Sequence, residues 1–198
     1  MAITSSMGTH KLYTRKGDRT NWVDYSGTLD ATAYSAAVNV VAGRVFSLTS
    51  GGKLEPGLPV AKTPFFALSG LDANNYPDVK RDRGMPRAGA VQFATISAFA
   101  AVEMVTTEIA PDVTYTVGAA LTAVTNAAGA TKDLYRGLII PRTNGNVVSA
   151  TLGTFVSALT DPVVGFVAPA GLFTDVDGNK VLAFYPAYIP GSTAAVQP

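Results

Sequence analysis

Few of the side chains that perform catalysis in proteins occur in this sequence. The chain has no cysteine and a single histidine, His10. A general base must be held within hydrogen-bond reach of its substrate by ordered neighbours. His10 lies in a segment without a strand or helix period, so we expect it to be solvated. Catalytic triads of the serine and cysteine types also need a histidine, and the sequence therefore predicts none.

Oxygen-bearing side chains alternate in residues 175–179, which read Asp-Val-Asp-Gly-Asn. The first ligands of a calcium-binding loop have this spacing, but such a loop also needs a bidentate glutamate at its end. Pro186 stands at that position here. We therefore favour a β-hairpin turn between Leu172-Phe173 and Val181-Leu182, and we expect no metal site and no cofactor.

Pairs of carboxylates can hydrolyse glycosides without a histidine. The acidic residues of the β-rich half that could form such a pair are Glu103, Glu108, Asp112, Asp161 and Asp175. No spacing singles out two of them, and no glycine-rich phosphate loop is followed by a helix. We therefore expect no enzyme. A carbohydrate-binding β-sandwich or a lyase-like enzyme remains as an alternative.

The composition favours a protein that contacts other proteins. Charged residues make up 15% of the chain, compared with about 25% in typical globular proteins. A surface poor in charge suits a protein packed against neighbours, although β proteins also use serine and threonine in place of charged residues. The net charge of +1 gives no electrostatic basis for binding nucleic acid. We also expect no signal peptide and no membrane span.

The chain divides into three segments by pattern. Residues 1–25 carry several charges but no strand or helix period, and they predict an extended N-terminal arm. Trp22 and Tyr25 close this arm and are candidate anchors into the body or into a partner. Residues 26–190 form the predicted β-rich domain, and residues 191–198 the flexible C-terminal tail.

Short apolar and β-branched runs, separated by turn signals, predict the strands of the body. The candidate strands are residues 38–48, 64–68, 91–97, 101–109, 114–117, 121–124, 134–140, 147–152, 163–167 and 181–185, with a helix over residues 96–105 as an alternative. The turn signals lie at residues 126–129, 144–146, 169–171 and 177–178. This density of strands predicts a mainly β fold, either a β-sandwich or a jelly-roll-like β-barrel, with an extended N-terminal arm.

The densest cluster of charges lies in residues 78–84. It is either an exposed loop that forms salt bridges across a subunit boundary or a solvated loop with internal ion pairs. Together with the basic and aromatic residues of the arm it supplies the candidate interface residues: Lys11, Arg15, Lys16, Arg19, Trp22, Tyr25, Asp78, Lys80, Arg81, Asp82 and Arg83.

Two sequence patterns resemble those of small structural proteins in tailed-phage heads. Residues 115–124, Tyr-Thr-Val-Gly-Ala-Ala-Leu-Thr-Ala-Val, are followed by Gly129 and by Arg136-Gly137-Leu138. Residues 162–168, Pro-Val-Val-Gly-Phe-Val-Ala, are followed by Gly171 and by residues 181–185, Val-Leu-Ala-Phe-Tyr. In such phage proteins a strand and turn of the form Y-x-x-G-x-x-L precedes a V-V-G-x-V strand and a last apolar strand.

The resemblance implies a capsid decoration, or cement, protein. Its partners would be the major capsid protein of the same phage and further copies of itself, as a homodimer or homotrimer. The chain would be made in the host cytoplasm and would lie on the capsid exterior. Another virion part, such as a tail-tube or baseplate subunit, is the alternative.

Overall fold

The computed structural model describes residues 10–17, 22–28, 30, 41–60, 62–67, 90–96, 102–125 and 135–192. Antiparallel strands dominate these ranges, which confirms the predicted mainly β fold. The strands are β1 (Leu12–Lys16), β2 (Trp22–Thr28), β3 (Val45–Leu48), β4 (Leu54–Pro56), β5 (Phe65–Ala67), β6 (Ala90–Ile96), β7 (Glu103–Thr106), β8 (Ala120–Ala123), β9 (Ile139–Pro141), β10 (Gly145–Ser149), β11 (Gly153–Ser157), β12 (Val163–Thr174) and β13 (Lys180–Ile189).

The strands form three sheets, and every strand pair within them is antiparallel. The largest has six strands in the order β1-β7-β13-β12-β8-β9, and the second has five in the order β2-β6-β5-β3-β4. The third is the hairpin of β10 and β11. None of these sheets closes on itself in the described ranges, so the open, sandwich-like alternative fits and the barrel does not.

The main hydrophobic core joins the six-stranded sheet to residues of the five-stranded sheet. Val45 and Phe66 of the smaller sheet pack in one cluster with Met104, Leu121 and Phe184 of the larger one. The ring centroids of Phe66 and Phe184 are 5.9 Å apart. Burying a large apolar side chain contributes about 1.5–3 kcal/mol. The apolar contacts of this cluster therefore stabilise the packing of the two sheets.

The central strands of the six-stranded sheet are apolar on both faces. In β13, Leu182 and Phe184 face the main core, whereas Val181 and Ala183 belong to a second cluster with Val105 and Ala168. Because both faces are buried, the sequence here is a continuous apolar run without polar alternation. That run gave the predicted strand 181–185, which the structure confirms and extends at both ends.

Several predicted strands coincide with observed ones, and others differ. The predictions over residues 64–68, 121–124 and 163–167 correspond to β5, β8 and the start of β12. Residues 114–117 are not a strand. The Tyr115 side chain is buried there, and its hydroxyl accepts a hydrogen bond from the Ala110 amide and donates one to the Ile139 carbonyl. The alternative helix over residues 96–105 is wrong, because Ile96 ends β6 and Glu103 begins β7.

The hairpin of β10 and β11 was not predicted; the sequence pattern gave one strand over residues 147–152. Residues 144–146 carry the turn signal, yet Gly145 and Asn146 pair with Ser157 and Val156 inside the hairpin. The chain reverses at residues 150–152 instead. The Ser149 hydroxyl accepts a hydrogen bond from the Leu152 amide there. Strand β11 was missed because it is short and begins with Gly153, and glycine weakens the strand pattern.

Residues 169–171, predicted as a turn, interrupt the pairing of β12 without ending it. Val167 pairs with Phe184 and Leu172 with Leu182, so residues 168–171 bulge opposite the single residue Ala183. Gly171 has a φ of +58°, a value that suits glycine in a bulge. Close approach also explains Gly165, where a Cβ atom would lie 2.6 Å from the Tyr185 carbonyl oxygen.

The prediction that residues 1–25 lack strand structure is wrong for two stretches. Leu12–Lys16 form β1 and pair with β7, and Trp22–Thr28 form β2 and pair with β6. Long-range pairing and ion pairs supply the order that the local sequence does not indicate. The boundaries proposed for the body and the C-terminal tail stay predictions.

Three of the four outer strands of the two large sheets carry features that oppose further pairing. Strand β1 has a register shift between Thr14 and Lys16. Strands β4 and β9 are short and end in Pro56 and Pro141. Bulges, charges and prolines are the usual means by which proteins protect sheet edges. The fourth outer strand, β2, pairs with β6 over seven residues without a shift.

Candidate interaction site

Residues 10–16, which include β1, bring four basic side chains to four carboxylates of the body. We call residues 10–16 the basic segment; its basic side chains are His10, Lys11, Arg15 and Lys16. We call the surface beside β7 that receives it the acidic groove; its carboxylates are Glu103, Glu108, Asp175 and Asp177. Backbone pairing of β1 with β7 sets the register, with Tyr13 opposite Val105.

Glu103 lies at one end of the acidic groove and is only 2% exposed. Arg15 donates a hydrogen bond to its Oε1, and the Lys16 Nζ lies 3.8 Å from its Oε2. The Arg15 guanidinium also covers the Phe173 ring at 5.8 Å from the ring centroid. In the described part of the chain, both cations at this buried carboxylate therefore come from β1.

Glu108 is also buried, and it is held from two sides. Arg44 places its Nε and Nη2 at 2.7 and 2.6 Å from Oε2, while the His10 Nδ1 lies 2.5 Å from Oε1. Burial alone would raise the pKa of Glu108, but the His10 hydrogen bond and the Arg44 charge outweigh it and hold that pKa below its usual value. The expectation that His10 is solvated holds in part: its side chain is 39% exposed, but it also contacts the buried Glu108.

The turn between β12 and β13 binds Lys11. The Lys11 Nζ donates to Asp175 Oδ2 at 2.8 Å and also to Asp177 Oδ2. The Asp175 Oδ1 accepts the amides of Asp177 and Asn179 at 3.0 and 2.9 Å, which closes the turn. The hydrogen bond from Lys11 is the main reason that the pKa of Asp175 falls to about 2. The predicted hairpin turn is confirmed. The aspartate oxygens of this turn accept hydrogen bonds from the Lys11 ammonium group.

The two remaining carboxylates considered for catalysis also have partners within the chain. Asp112 accepts the Ser149 hydroxyl at 2.6 Å and the Thr151 amide at 3.0 Å, and the Ser149 bond is the main cause of its lowered pKa. Asp161 accepts the Ala158 amide at 2.7 Å. Among the described residues, no three histidine or acidic side chains lie close enough together to hold a metal ion.

A second surface lies on the outer face of the β10–β11 hairpin. Its inner face buries Val147 and Phe155 against Leu138 and Ile140. Its outer face exposes two apolar side chains, Val148 at 66% and Val156 at 72%. Since Val148 pairs with Thr154 and Asn146 with Val156, the two valines are diagonal neighbours on one uncharged face. We call this surface the hairpin face.

Comparisons of this chain with models of known protein families, with curated proteins and with solved structures find no match. In the ranges that the structure describes, no helix is long and apolar enough to cross a membrane.

The structure places only part of the predicted interface. Lys11, Arg15 and Lys16 contact carboxylates of their own chain, and their role toward a partner stays a prediction. Trp22 and Tyr25 belong to β2, but their side chains lie outside the described residues. So do Arg19 and the charged cluster predicted to form intersubunit salt bridges, namely Asp78, Lys80, Arg81, Asp82 and Arg83.

Sequence reasoning missed both described surfaces. The acidic groove collects residues from β7, the segment after β7 and the β12–β13 turn, and no local pattern links them. The hairpin face had a detectable signal, because Val147-Val148 and Phe155-Val156 each place one apolar residue on either side of a strand. An apolar residue on both faces indicates either a strand buried on both sides, as in β13, or a strand with a core on one side and a contact surface on the other.

Proposed function

We propose that this protein is a structural subunit of a tailed-phage particle. It binds the outer surface of the capsid, as a homodimer or homotrimer, and stabilises the shell by bridging subunits of the major capsid protein. It acts by binding and catalyses no reaction. The proposal combines the sequence patterns of residues 115–124 and 162–168 with the contact surfaces of the fold.

The hairpin face is the observation that carries the proposal. Two valines are exposed side by side on a strand pair that is fixed to the body from its other side. Asp112 holds the tip of this hairpin through Ser149 and Thr151. A preorganised apolar surface loses little conformational entropy when it binds, which suits contact with a flat protein shell.

Multiple contacts make such binding effective. When one copy contacts a first capsid subunit, its contact with a second becomes intramolecular and gains from a high effective concentration. Each contact can then be modest, while the bridge between subunits is strong. A low density of charge on the contact face reduces the desolvation penalty of each contact.

The experiment measures co-sedimentation of the full chain with expanded shells of the major capsid protein from the same phage. We expect saturable binding, and we expect the double variant Val148→Asp/Val156→Asp to bind about tenfold more weakly or worse. Val117→Asp is the matched control, because Val117 is 56% exposed at a different place. It should bind as the unmodified chain does.

Absence of binding by the unmodified chain would overturn the proposal. Rings or tubes formed by the purified protein alone, seen by electron microscopy, would instead favour a tail-tube subunit. Saturable binding to a polysaccharide would favour the carbohydrate-binding alternative.

A further inference from the structure

Among the described strands, the basic segment can leave the body without breaking any pair other than that of β1 with β7. Strand β1 is at the edge of the six-stranded sheet, and β7 keeps β13 on its other side. The side-chain hydrogen bonds of His10, Lys11 and Arg15 reach residues 88 to 166 positions further along the chain. The segment is therefore attached by long-range contacts that any identical segment could make.

The acidic groove cannot be left empty without cost. Glu103 is 2% exposed, and its cations in the described part of the chain, Arg15 and Lys16, both belong to β1. A buried carboxylate that loses its partners is strongly destabilising. When the chain's own segment is displaced, the groove therefore selects a replacement that is extended, basic and able to pair with β7.

We propose that the groove accepts the basic segment of a second copy, so that two copies exchange β1 reciprocally. The charges of the segment and the groove match, because Lys11, Arg15 and Lys16 each lie beside a carboxylate of the groove. This inference deepens the proposed self-association. Its test needs no capsid shell, so the two proposals fail separately.

A high protein concentration shifts the equilibrium from the monomer toward the exchanged dimer. The same contacts form within one chain and between two chains, so their strength cancels from the comparison. The balance depends on the effective concentration of the segment and on the freedom of the link between β1 and β2. Gly17 follows β1 with a φ of +90°, and glycine changes its backbone angles without a side-chain clash.

A disulfide test distinguishes the two arrangements, because the natural chain has no cysteine. Thr14 and Met104 are register partners, and their Oγ1 and Sδ atoms are 3.7 Å apart. One full-length copy carries Thr14→Cys and the other, with a distinguishable tag, carries Met104→Cys. After co-expression and mild oxidation, exchange gives a covalent heterodimer on a non-reducing gel.

In the control, the second copy carries Val148→Cys in place of Met104→Cys. Val148 is well exposed and lies on the hairpin face, away from β1. We expect the Thr14–Met104 pair to give at least about tenfold more heterodimer than this control, which reports random oxidation. Equal amounts from the two pairs would show that the segment stays on its own chain, and would overturn the proposal.

Charge reversal provides a second, independent test. One full-length variant carries Lys11→Glu and Arg15→Glu in the segment, and the other carries Glu103→Lys and Asp175→Lys in the groove. Each variant repels its own segment, but each segment matches the groove of the other variant. We expect dimers, measured by light scattering, only after mixing. Monomers in the mixture of two folded variants would contradict exchange, and the disulfide test decides the matter if either variant folds poorly.

Discussion

Glu108 is a buried carboxylate with side-chain partners from two distant segments of the chain. It is buried between Arg44 and His10, and its own amide donates to the Thr106 hydroxyl at 3.0 Å. These bonds connect the segment before β3, the basic segment and the end of β7. The carboxylate therefore joins three parts of the chain that are distant in sequence.

Replacing Arg44 with methionine should destabilise the protein strongly. Removing one member of a buried ion pair costs about 3–5 kcal/mol, because the other charge is left without compensation. The free energy of unfolding, measured in urea, should fall by that amount. The double variant Arg44→Met/Glu108→Gln is the control and should recover part of the loss. A change in Arg44→Met below about 1 kcal/mol would contradict the assigned role.

The pair of Lys11 and Asp175 should give an acid-sensitive contribution to stability. The pKa of Asp175 is about 2 in the folded protein, below about 3.9 when unfolded. The contribution is thus complete above the unfolded value and is lost as the pH falls through the folded one. The difference in melting temperature between the unmodified chain and Lys11→Met should be constant above about pH 5 and shrink toward pH 2.

The comparison with Lys11→Met removes the contacts of Lys11 with both Asp175 and Asp177, and the other carboxylates titrate in both proteins. The same comparison is then made in chains that carry Asp175→Asn. In these chains, Lys11→Met should no longer cause a pH-dependent difference in melting temperature. A difference that stays constant down to pH 2 would rule out a Lys11–Asp175 contribution of this kind.

At the scale of elements, Asp112 should control the order of the β10–β11 hairpin. It accepts the Ser149 hydroxyl and the Thr151 amide, which fixes the reversal at residues 150–152. In Asp112→Ala we expect amide hydrogen exchange across residues 145–157 to become about tenfold faster, because a charge-assisted hydrogen bond is lost. Amides of β13 should exchange as before. Unchanged exchange in the hairpin would contradict this role.

The sequence predicted elements well where the local pattern and the tertiary environment agree. Residues 121–123 and 181–185 are apolar, β-branched or aromatic, and they lie in β8 and β13. The sequence pattern failed for β1, whose Leu-Tyr-Thr-Arg-Lys stretch has few apolar residues and is held by ion pairs and by pairing with β7. It missed the reversal at residues 150–152 because the acceptor that holds it, Asp112, lies far away in sequence.

At the scale of the whole molecule, the core predicts one cooperative unit. Phe66 and Phe184 pack together across the two large sheets. Phe66→Ala should lower the free energy of unfolding by about 3–5 kcal/mol, while keeping a single transition in urea. Val176→Ala, in a fully exposed position, is the control and should change stability by less than about 0.5 kcal/mol. Two separate transitions would contradict a shared core.

The candidate site could not be assembled from the sequence because its parts meet only in the folded chain. Lys11, Arg15 and Lys16 were recognised as contact residues from their charge. Their carboxylate partners Glu103 and Asp175 were noted only as acidic residues. Knowing that β1 pairs with β7 would have been enough to bring Arg15 and Lys16 to Glu103, and that pairing spans the first half of the chain.

The outer strands of the two large sheets also bear on fibre formation. Cross-β growth needs an unprotected row of backbone amides and carbonyls, and Pro56, Pro141 and the irregular register of β1 each interrupt such a row. Strand β2 carries no proline and no shift across its ladder with β6. In the described ranges β2 pairs only with β6, so we expect filament elongation in stored or overheated protein to begin at β2, and Ser26→Pro should slow it.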